Sequence, residues 1–244
     1  MTKSLIQKLD ILAFAAHPDD VELSACGTLL KHIALGMKVG IIDLTQGELG
    51  TRGNFSTRKA EAQMASQILG IHVRENLGMP DGFFEINTDN KIKIIEVIRK
   101  YRPQVILANA IEDRHPDHGR AAQLVAEATF LSGLPKIVTH DAGEEQKPHR
   151  PKAIYHYIQD YYLEPDFVVD VTPFVDKKIE AIKAYKTQFF DPDSPEPATP
   201  ISGEDFFEFI TGRMMQFGRP AGMKYAEGFN TCRSIGVDNL LELK

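Results

Sequence analysis

Residues 10–20 read DILAFAAHPDD, and this stretch decides the fold. Its first part, DILAFAA, is a short apolar run of the kind that forms a central parallel strand buried on both faces. His17, Pro18, Asp19 and Asp20 follow directly, so they fall at the carboxyl end of that strand. Ligands of open α/β sheets bind in the crevice beyond the carboxyl ends of the strands. We therefore expect a functional site at this turn.

A second run of the same composition lies about a hundred residues later. Residues 115–118 read His-Pro-Asp-His and follow QVILA, another apolar run that predicts a buried strand. Imidazole and carboxylate are ligands that zinc accepts, and an open zinc site needs three of them plus water. We assign His17, Asp20 and His118 to the metal and leave Asp19 free as a base. An isolated Asp-Asp pair has another use, as an N-cap of the following helix.

The remaining sequence alternates strand and helix patterns, which implies right-handed crossovers and a parallel sheet. The predicted class is therefore α/β, a Rossmann-like open sheet that is mostly parallel and carries helices on both faces. No repeat or clear linker divides the 244 residues, so we predict a single domain over 1–244 and a surface loop at the proline-rich residues 191–203. Further strands are predicted at 38–44, 71–74, 104–108, 153–158 and 167–171, and helices at 22–35, 57–69, 91–101, 119–131, 172–188 and 204–217.

Composition excludes several classes of protein. The net charge of −6 offers no basic excess for nucleic acid, and 43% hydrophobic residues allow a substantial core. No apolar stretch approaches the roughly 18 residues of a membrane span, and the first ten residues lack the apolar region of a signal peptide. Two cysteines, Cys26 and Cys232, make no disulfide framework or zinc knuckle. We expect a cytoplasmic protein with no nucleic-acid or membrane partner.

Both histidine runs resemble the hallmarks of the LmbE-like (PIG-L) zinc-dependent deacetylases, Ala-His-Pro-Asp-Asp and His-Pro-Asp-His. The loop at 47–53 (GELGTRG) and the segment at 226–229 (AEGF) are most similar to members that deacetylate N-acetylglucosaminyl-malate in bacillithiol biosynthesis. Other members act on substrates such as diacetylchitobiose. The resemblance implies a small-molecule glycoside substrate, a hexameric assembly and one Zn²⁺ per chain. The residues it implies are His17, Asp20 and His118 as ligands, Asp19 as base and His115 as oxyanion stabiliser.

The physical roles are consistent with that resemblance. Zinc lowers the pKa of a bound water to roughly 7 and polarises an amide carbonyl, although the same ligands also accept Fe²⁺. Asp19 takes the proton of the attacking water and returns it to the leaving amine. His115, if protonated, stabilises the tetrahedral oxyanion. Asp117 orients an imidazole by bonding to the ring nitrogen that does not bind the metal, or alternatively caps the helix that follows it.

Three further residues, Glu48, Arg52 and Arg114, are predicted to bind substrate. Arg52 and Arg114 are expected to face the crevice, where a guanidinium fork suits the carboxylates of malate; Arg58 is a weaker candidate for the same role. Glu48 is expected to accept hydrogen bonds from sugar hydroxyls. For each of these residues the alternative is an ordinary surface contact or ion pair.

Two other functions remain as alternatives to the deacetylase. A dinucleotide enzyme is disfavoured because the first turn offers Asp19 and Asp20 where pyrophosphate needs glycine amides, and no G-x-G-x-x-G is present. A non-catalytic sugar- or metal-binding protein on the same scaffold is disfavoured because mere binding needs neither a spare carboxylate nor His115.

Overall fold

The computed structural model describes residues 8–189 and 195–242. Nine strands and seven α-helices are assigned within these residues. The strands are β1 Ile11–Ala15, β2 Val39–Thr45, β3 Val73–Met79, β4 Val105–Ala108, β5 His140–Asp141, β6 Glu144–Glu145, β7 Ala153–Tyr157, β8 Phe167–Asp170 and β9 Ala226–Asn230. The helices are α1 Asp20–Ser24, α2 Cys26–Ala34, α3 Phe55–Leu69, α4 Thr88–Tyr101, α5 Pro116–Leu131, α6 Val175–Lys183 and α7 Phe206–Gly218.

Seven of the strands form one sheet in the order β3-β2-β1-β4-β7-β9-β8, while β5 and β6 form a separate short hairpin. The pairs from β3 to β7 are all parallel, and β9 runs antiparallel to both of its neighbours. The predicted α/β class with a mostly parallel sheet is confirmed.

Strand β1 lies in the middle of the sheet and is covered on both faces. Leu12 and Phe14 belong to a core cluster with residues of α4 and α5. Ile11, Ala13 and Ala15 belong to a second cluster with residues of α1 and α2. All five side chains are buried, which explains why this strand reads as a continuous apolar run rather than an alternating one.

The helix predicted over 22–35 is interrupted in the structure, because α1 ends and α2 begins at Ala25, whose ψ is 0°. The break leaves backbone N–H groups at the start of α2. Gly27 and Thr28 donate theirs to the Glu227 carboxylate at 2.9 and 2.7 Å. A Cβ at Gly27 would lie 2.9 Å from Glu227 Oε1, so a glycine permits this close approach.

Other boundaries also differ from the predictions. β3 continues to Met79 and α5 begins at Pro116, which places the second histidine run in the first helical turn. The helix predicted over 172–188 is a 3-10 turn followed by α6, which ends at Lys183. β9 was not predicted as a strand. Residues 191–194 of the predicted proline-rich loop lie outside the described residues.

Candidate active site

The two histidine runs meet because their strands are neighbours. β1 and β4 pair in parallel, so His17 and His115 follow adjacent carboxyl ends. From β1 the chain continues to β2 and β3 on one side of the sheet and reaches β4 on the other. Such a switch point is where open α/β sheets form their ligand crevice. A cavity of about 480 Å³ lies there, a size typical of small-molecule sites.

His17, Asp20 and His118 lie together on the floor of this cavity. His118 Nε2 is 3.1 Å from Asp20 Oδ1, and His17 Nδ1 is 3.8 Å from Asp20 Oδ2. The two imidazole ring centroids are 5.5 Å apart, and all three residues are buried. The distant loops therefore do converge, with one nitrogen of each imidazole directed at the same carboxylate.

The other nitrogen of each imidazole contacts a different carboxylate. His17 Nε2 is 3.0 Å from Asp81 Oδ1 and 3.3 Å from Asp117 Oδ2. His118 Nδ1 is 2.5 Å from Asp113 Oδ2. Metal-binding histidines almost always donate their second N–H to such a group, which fixes the tautomer and the ring orientation. The N-terminus of helix α5 is capped by His115, whose side chain accepts a hydrogen bond from the Asp117 N–H, and not by the carboxylate of Asp117.

Asp20 is held in place by donors on three sides. Its Oδ2 accepts from the His17 N–H and from Asn109 Nδ2, each at 2.9 Å, and its Oδ1 accepts from Gln159 Nε2 at 3.2 Å. Burial by itself raises the pKa of this carboxyl, but the charge of His118 and the hydrogen bonds from His118 and His17 hold it well below its usual range. Asp20 is therefore an anion in a fixed orientation.

Two sets of described side chains bring three possible ligand atoms close enough together to hold a divalent cation, and Asp20 is in neither set. Ligand atoms of His17, His115 and His118 lie within 4.8 Å of one another, and so do those of His17, Asp81 and Asp117. Although burial lowers the pKa of His118, the charge of Asp20 and hydrogen bonds with two aspartates raise it to about 9. Imidazoles that hold protons this firmly lie in a strongly negative site, and metal binding releases such protons.

Asp19 stands apart from these donors and is strained. Its φ is 125°, a conformation that non-glycine residues rarely adopt. Arg58 Nη2 donates to Asp19 Oδ2 at 2.9 Å and to the Pro18 carbonyl at 2.8 Å. Burial, opposed by the charge of Arg58 and reinforced by repulsion from Asp20, raises the pKa of the Asp19 carboxyl to about 7. A carboxyl with such a pKa is suited to proton transfer at neutral pH.

His115 is neutral in this environment. Burial, with repulsion from His17 and His118, lowers its pKa below the usual value. Its Nδ1 accepts the Asp117 N–H at 3.3 Å, which places the remaining proton of a neutral ring on Nε2. His115 lines the cavity and is therefore available as a neutral donor, whereas the sequence-based role assumed an imidazolium.

The predicted substrate residues differ in position. Arg114 lines the cavity and pairs with Asp160 at 3.0 Å. Arg52 and Glu48 are not among the described residues that line it. Arg52 is buried with Nε 3.5 Å from Glu196 Oε2, and exposed Glu48 accepts from the Asp81 N–H at 2.9 Å. Only Arg114 of the three lies where a ligand in this cavity can touch it directly.

Sequence reasoning missed several groups that complete the site. Asp81 follows the carboxyl end of β3, and Asp113 and Gln159 follow β4 and β7. Their signal is position alone, since each is a polar residue just beyond a strand that ends at this edge of the sheet. Arg58 was ranked below Arg52 and Arg114, yet it touches Asp19. Its partner is 39 residues away, so spacing could not reveal the contact.

Comparison with known proteins agrees with the fold and identifies a family. The family model for PIG-L, described as GlcNAc-PI de-N-acetylase, matches residues 12–129, a span that includes both histidine runs. The chain belongs to this family, whose members are also called LmbE-like.

Individual relatives span most of the chain. A crystal structure of a conserved protein from Thermus thermophilus is 35% identical, covers 94% of this chain and 98% of its own, and superposes with a TM-score of 0.83. A diacetylchitobiose deacetylase from Thermococcus kodakarensis is 29% identical over 89% of this chain and 81% of its own. A probable N-acetyl-α-D-glucosaminyl L-malate deacetylase 2 from Bacillus anthracis is 28% identical over 73% of this chain and 81% of its own.

Proposed function

We propose that this protein is a metal-dependent hydrolase that removes the N-acetyl group from an N-acetylglucosamine conjugate. The observation that carries the proposal is the separation of tasks between two adjacent aspartates. Asp20 faces both imidazoles, whereas Asp19 lines the same cavity and pairs with Arg58. A site that only bound metal or sugar would have no use for this second carboxylate.

The proposed ligands are His17, Asp20 and His118. This set is favoured over the one that contains Asp81 and Asp117 because both imidazoles have one nitrogen near Asp20 and the other on a carboxylate. A divalent cation bound there would supply Lewis acidity toward the acetamide carbonyl and toward water. Zn²⁺ is the proposed ion, and Fe²⁺ is the alternative that the same donors accept.

The side chains of this protein account for the proton transfers. Asp19 takes a proton from the attacking water, whose oxygen bonds to the carbonyl carbon. His115 donates a hydrogen bond from Nε2 to the oxygen that becomes negative and keeps its proton. The C–N bond then breaks, the proton held by Asp19 passes to the departing nitrogen, and a free amine and acetic acid leave, the acid losing its remaining proton to solvent as acetate.

The experiment that tests this proposal separates metal binding from turnover. Asp19→Ala is expected to retain the metal and to lose most of the acetate release, since the substitution removes the base and none of the proposed ligands. Metal content and acetate release are measured on the same preparation, with wild type as reference. Near-normal turnover by this variant would remove Asp19 from the mechanism.

The proposed conjugate is GlcNAc-malate, with diacetylchitobiose as the alternative. Arg114 supports malate, since it lines the cavity and its side chain, paired with Asp160, is 45% exposed. Arg52 and Glu48 support it less, because they lie behind the lining residues. Turnover of GlcNAc-malate, GlcNAc and diacetylchitobiose side by side decides between these substrates, and faster cleavage of diacetylchitobiose would reject malate.

We also propose a cytoplasmic location, a homo-oligomer and a single domain. Both cysteines are free, which fits a reducing compartment. None of the helices that the structure describes is long and apolar enough to cross a membrane.

A further inference from the structure

The lining of the cavity has two dissimilar parts. One part is polar and comes from loops that follow the strands: Asp81, Asp113, Arg114, Gln159 and Asp160. The second part is apolar and is formed mainly by α7. We call this second part the apolar arm and define its residues as Leu23, Phe206, Phe209, Ile210, Met214 and Phe217.

The apolar arm presents one face of α7 to the cavity. Phe206, Ile210, Met214 and Phe217 are spaced by four, four and three residues, as expected for one helix face. All four are buried yet line the cavity, so they are closely packed as well as accessible to a ligand. Phe206 stacks on Phe209, with ring centroids 6.0 Å apart.

Leu23 joins this wall to the catalytic groups. It lies on α1, three residues after Asp20, so its side chain is on the same helix face as that of Asp20, and both line the cavity together with Asp19. It packs against the core cluster that contains Phe206 and Met214. The apolar arm therefore starts directly beside the proposed base.

Charged side chains along this wall are already paired. Lys178 Nζ lies 2.6 Å from Glu227 Oε1, and both groups are buried. The guanidinium of Arg213 donates to the main-chain carbonyls of Gln159 and Asp160 and stacks over Phe209 at 4.8 Å. A charged or strongly hydrated substituent placed here would lose its water without gaining a partner.

We propose that the apolar arm binds the N-acyl chain of the substrate, and that the enzyme cleaves amides of straight-chain acyl groups longer than acetyl. This inference rests on the proposed amide hydrolysis. The reaction balances as before: water adds to the acyl carbon, the C–N bond breaks, the nitrogen takes the proton, and a longer carboxylate leaves in place of acetate.

The acyl side is favoured over the sugar side by the position of the arm. Asp19 must lie beside the acyl carbon to deliver water to it, and Leu23 is the apolar residue one helical turn away. The sugar hydroxyls require hydrogen-bond partners, which the polar part of the lining, with Asp81 and Asp160, provides. Orienting the substrate the other way would place hydroxyls against phenylalanine.

The test uses one sugar with acyl groups of increasing length: N-acetyl-, N-butyryl- and N-hexanoylglucosamine. Burial of each added methylene is expected to raise kcat/KM by up to about fourfold, mostly through a lower KM. The octyl glycoside of N-acetylglucosamine, which carries its apolar chain on the sugar, is expected to show no such gain.

Two variants, Phe209→Ser and Met215→Ser, test whether the acyl chain binds in the apolar arm. Phe209→Ser is expected to lower the hexanoyl-to-acetyl ratio of kcat/KM several-fold, because Phe209 lines the cavity. Met215→Ser is the matched control, since Met215 lies on the same helix, is 50% exposed and is not among the described lining residues. Dissociation constants of the same ligands for Asp19→Asn report binding without turnover, and hexanoyl is expected to bind more tightly than acetyl.

The possible outcomes test the binding of longer acyl chains separately from the proposed amide hydrolysis. A kcat/KM that is highest for the acetyl amide and falls steadily as the acyl chain lengthens would overturn the inference and would still support the proposed deacetylase. A gain confined to the octyl glycoside would also overturn it, by assigning the arm to the sugar side. Absence of cleavage for every amide would reject the proposed hydrolase, and the Asp19→Asn dissociation constants would then still decide whether the arm prefers longer acyl chains.

Discussion

At the scale of single residues, Asp19 is the most informative position in the chain. Its backbone is held at φ 125° while Arg58 pairs with its carboxylate and with the preceding carbonyl. A strained, buried acid beside a set of metal-ligand residues is the arrangement expected of a functional group rather than a helix cap. The structure records no side-chain cap by Asp19 on α1.

The strain predicts an inverted order of stability for two variants that both remove the carboxylate. Asp19→Gly is expected to be more stable than Asp19→Ala by about 1–2 kcal/mol, because glycine adopts this φ without a Cβ clash. In unstrained helices and strands the order is the reverse. Urea unfolding of both metal-free proteins measures the difference, and an alanine variant of equal or higher stability would show that no strain is stored here.

Arg58 predicts a shift in the pH dependence. Its charge lowers the pKa of Asp19 against the effect of burial, and Asp19 acts as a base only when it is ionised. Arg58→Gln is therefore expected to move the acidic limb of the kcat/KM profile to higher pH, and Arg58→Lys is expected to restore much of the original position. A profile that only drops in height, without moving along the pH axis, would assign Arg58 a structural role alone.

At the scale of elements, the break between α1 and α2 orients the site. α1 is five residues long and carries Asp20 and Leu23 on its cavity face. α2 is a separate helix whose first N–H groups donate to the Glu227 carboxylate of β9. The apolar periodicity of 22–35 predicted one continuous helix because Leu29 and Leu30 do face the core. The break depends on a residue two hundred positions away, which no local pattern contains.

The buried pair formed by Lys178 and Glu227 fixes α6, α2 and β9 to one another. Glu227→Gln is expected to destabilise the protein by about 3–5 kcal/mol, since it leaves the Lys178 charge buried and unpaired. The double variant Lys178→Met with Glu227→Gln is expected to recover part of that loss. Urea unfolding measures both, and a double variant less stable than Glu227→Gln would contradict this account.

The elements that were predicted correctly and those that were missed differ in a physical way. Elements with clear stops, such as α3, which ends before Gly70 in the left-handed conformation, were predicted nearly to the residue. Strand β9 was not predicted, because Ala226, Glu227 and Gly228 are poor strand formers. The Glu227 carboxylate also contacts the start of α2 and Lys178. The place of β9 between β7 and β8 is decided by tertiary packing.

At the scale of the whole molecule, the parallel sheet explains why the sequence could predict that His17, Asp20 and His118 come together. His17 and His118 are a hundred residues apart, yet β1 and β4 are adjacent, so the motif and the fold together predicted one site.

Asp117 was predicted to orient an imidazole, and it lies 3.3 Å from His17 Nε2. Asp81, Asp113 and Arg58 were not predicted in these roles. Asp81 follows β3 and Arg58 lies on α3, far along the chain from the side chains that they contact, and Asp113 follows β4 just outside the second histidine run. The single-domain organisation and the hexamer stay predictions.

The concentration of carboxylates at this edge predicts that metal stabilises the fold. Asp20, Asp81, Asp113 and Asp117 all surround the two imidazoles. Zn²⁺ at a thousandfold above its dissociation constant is expected to stabilise the wild type by about 4 kcal/mol. Asp20→Asn is expected to show little of this gain. Melting temperatures with chelator and with added Zn²⁺ measure it, and an unchanged wild-type Tm would contradict the assignment.

Metal content of four purified variants tests the central claim most directly. His17→Ala and Asp20→Asn are expected to lose the metal, because both side chains are assigned as ligands, whereas Asp19→Asn and Asp81→Asn are expected to retain about one equivalent per chain. Retention by Asp20→Asn together with loss by Asp81→Asn would move the ion to the other set of donors around His17 and contradict the proposed site.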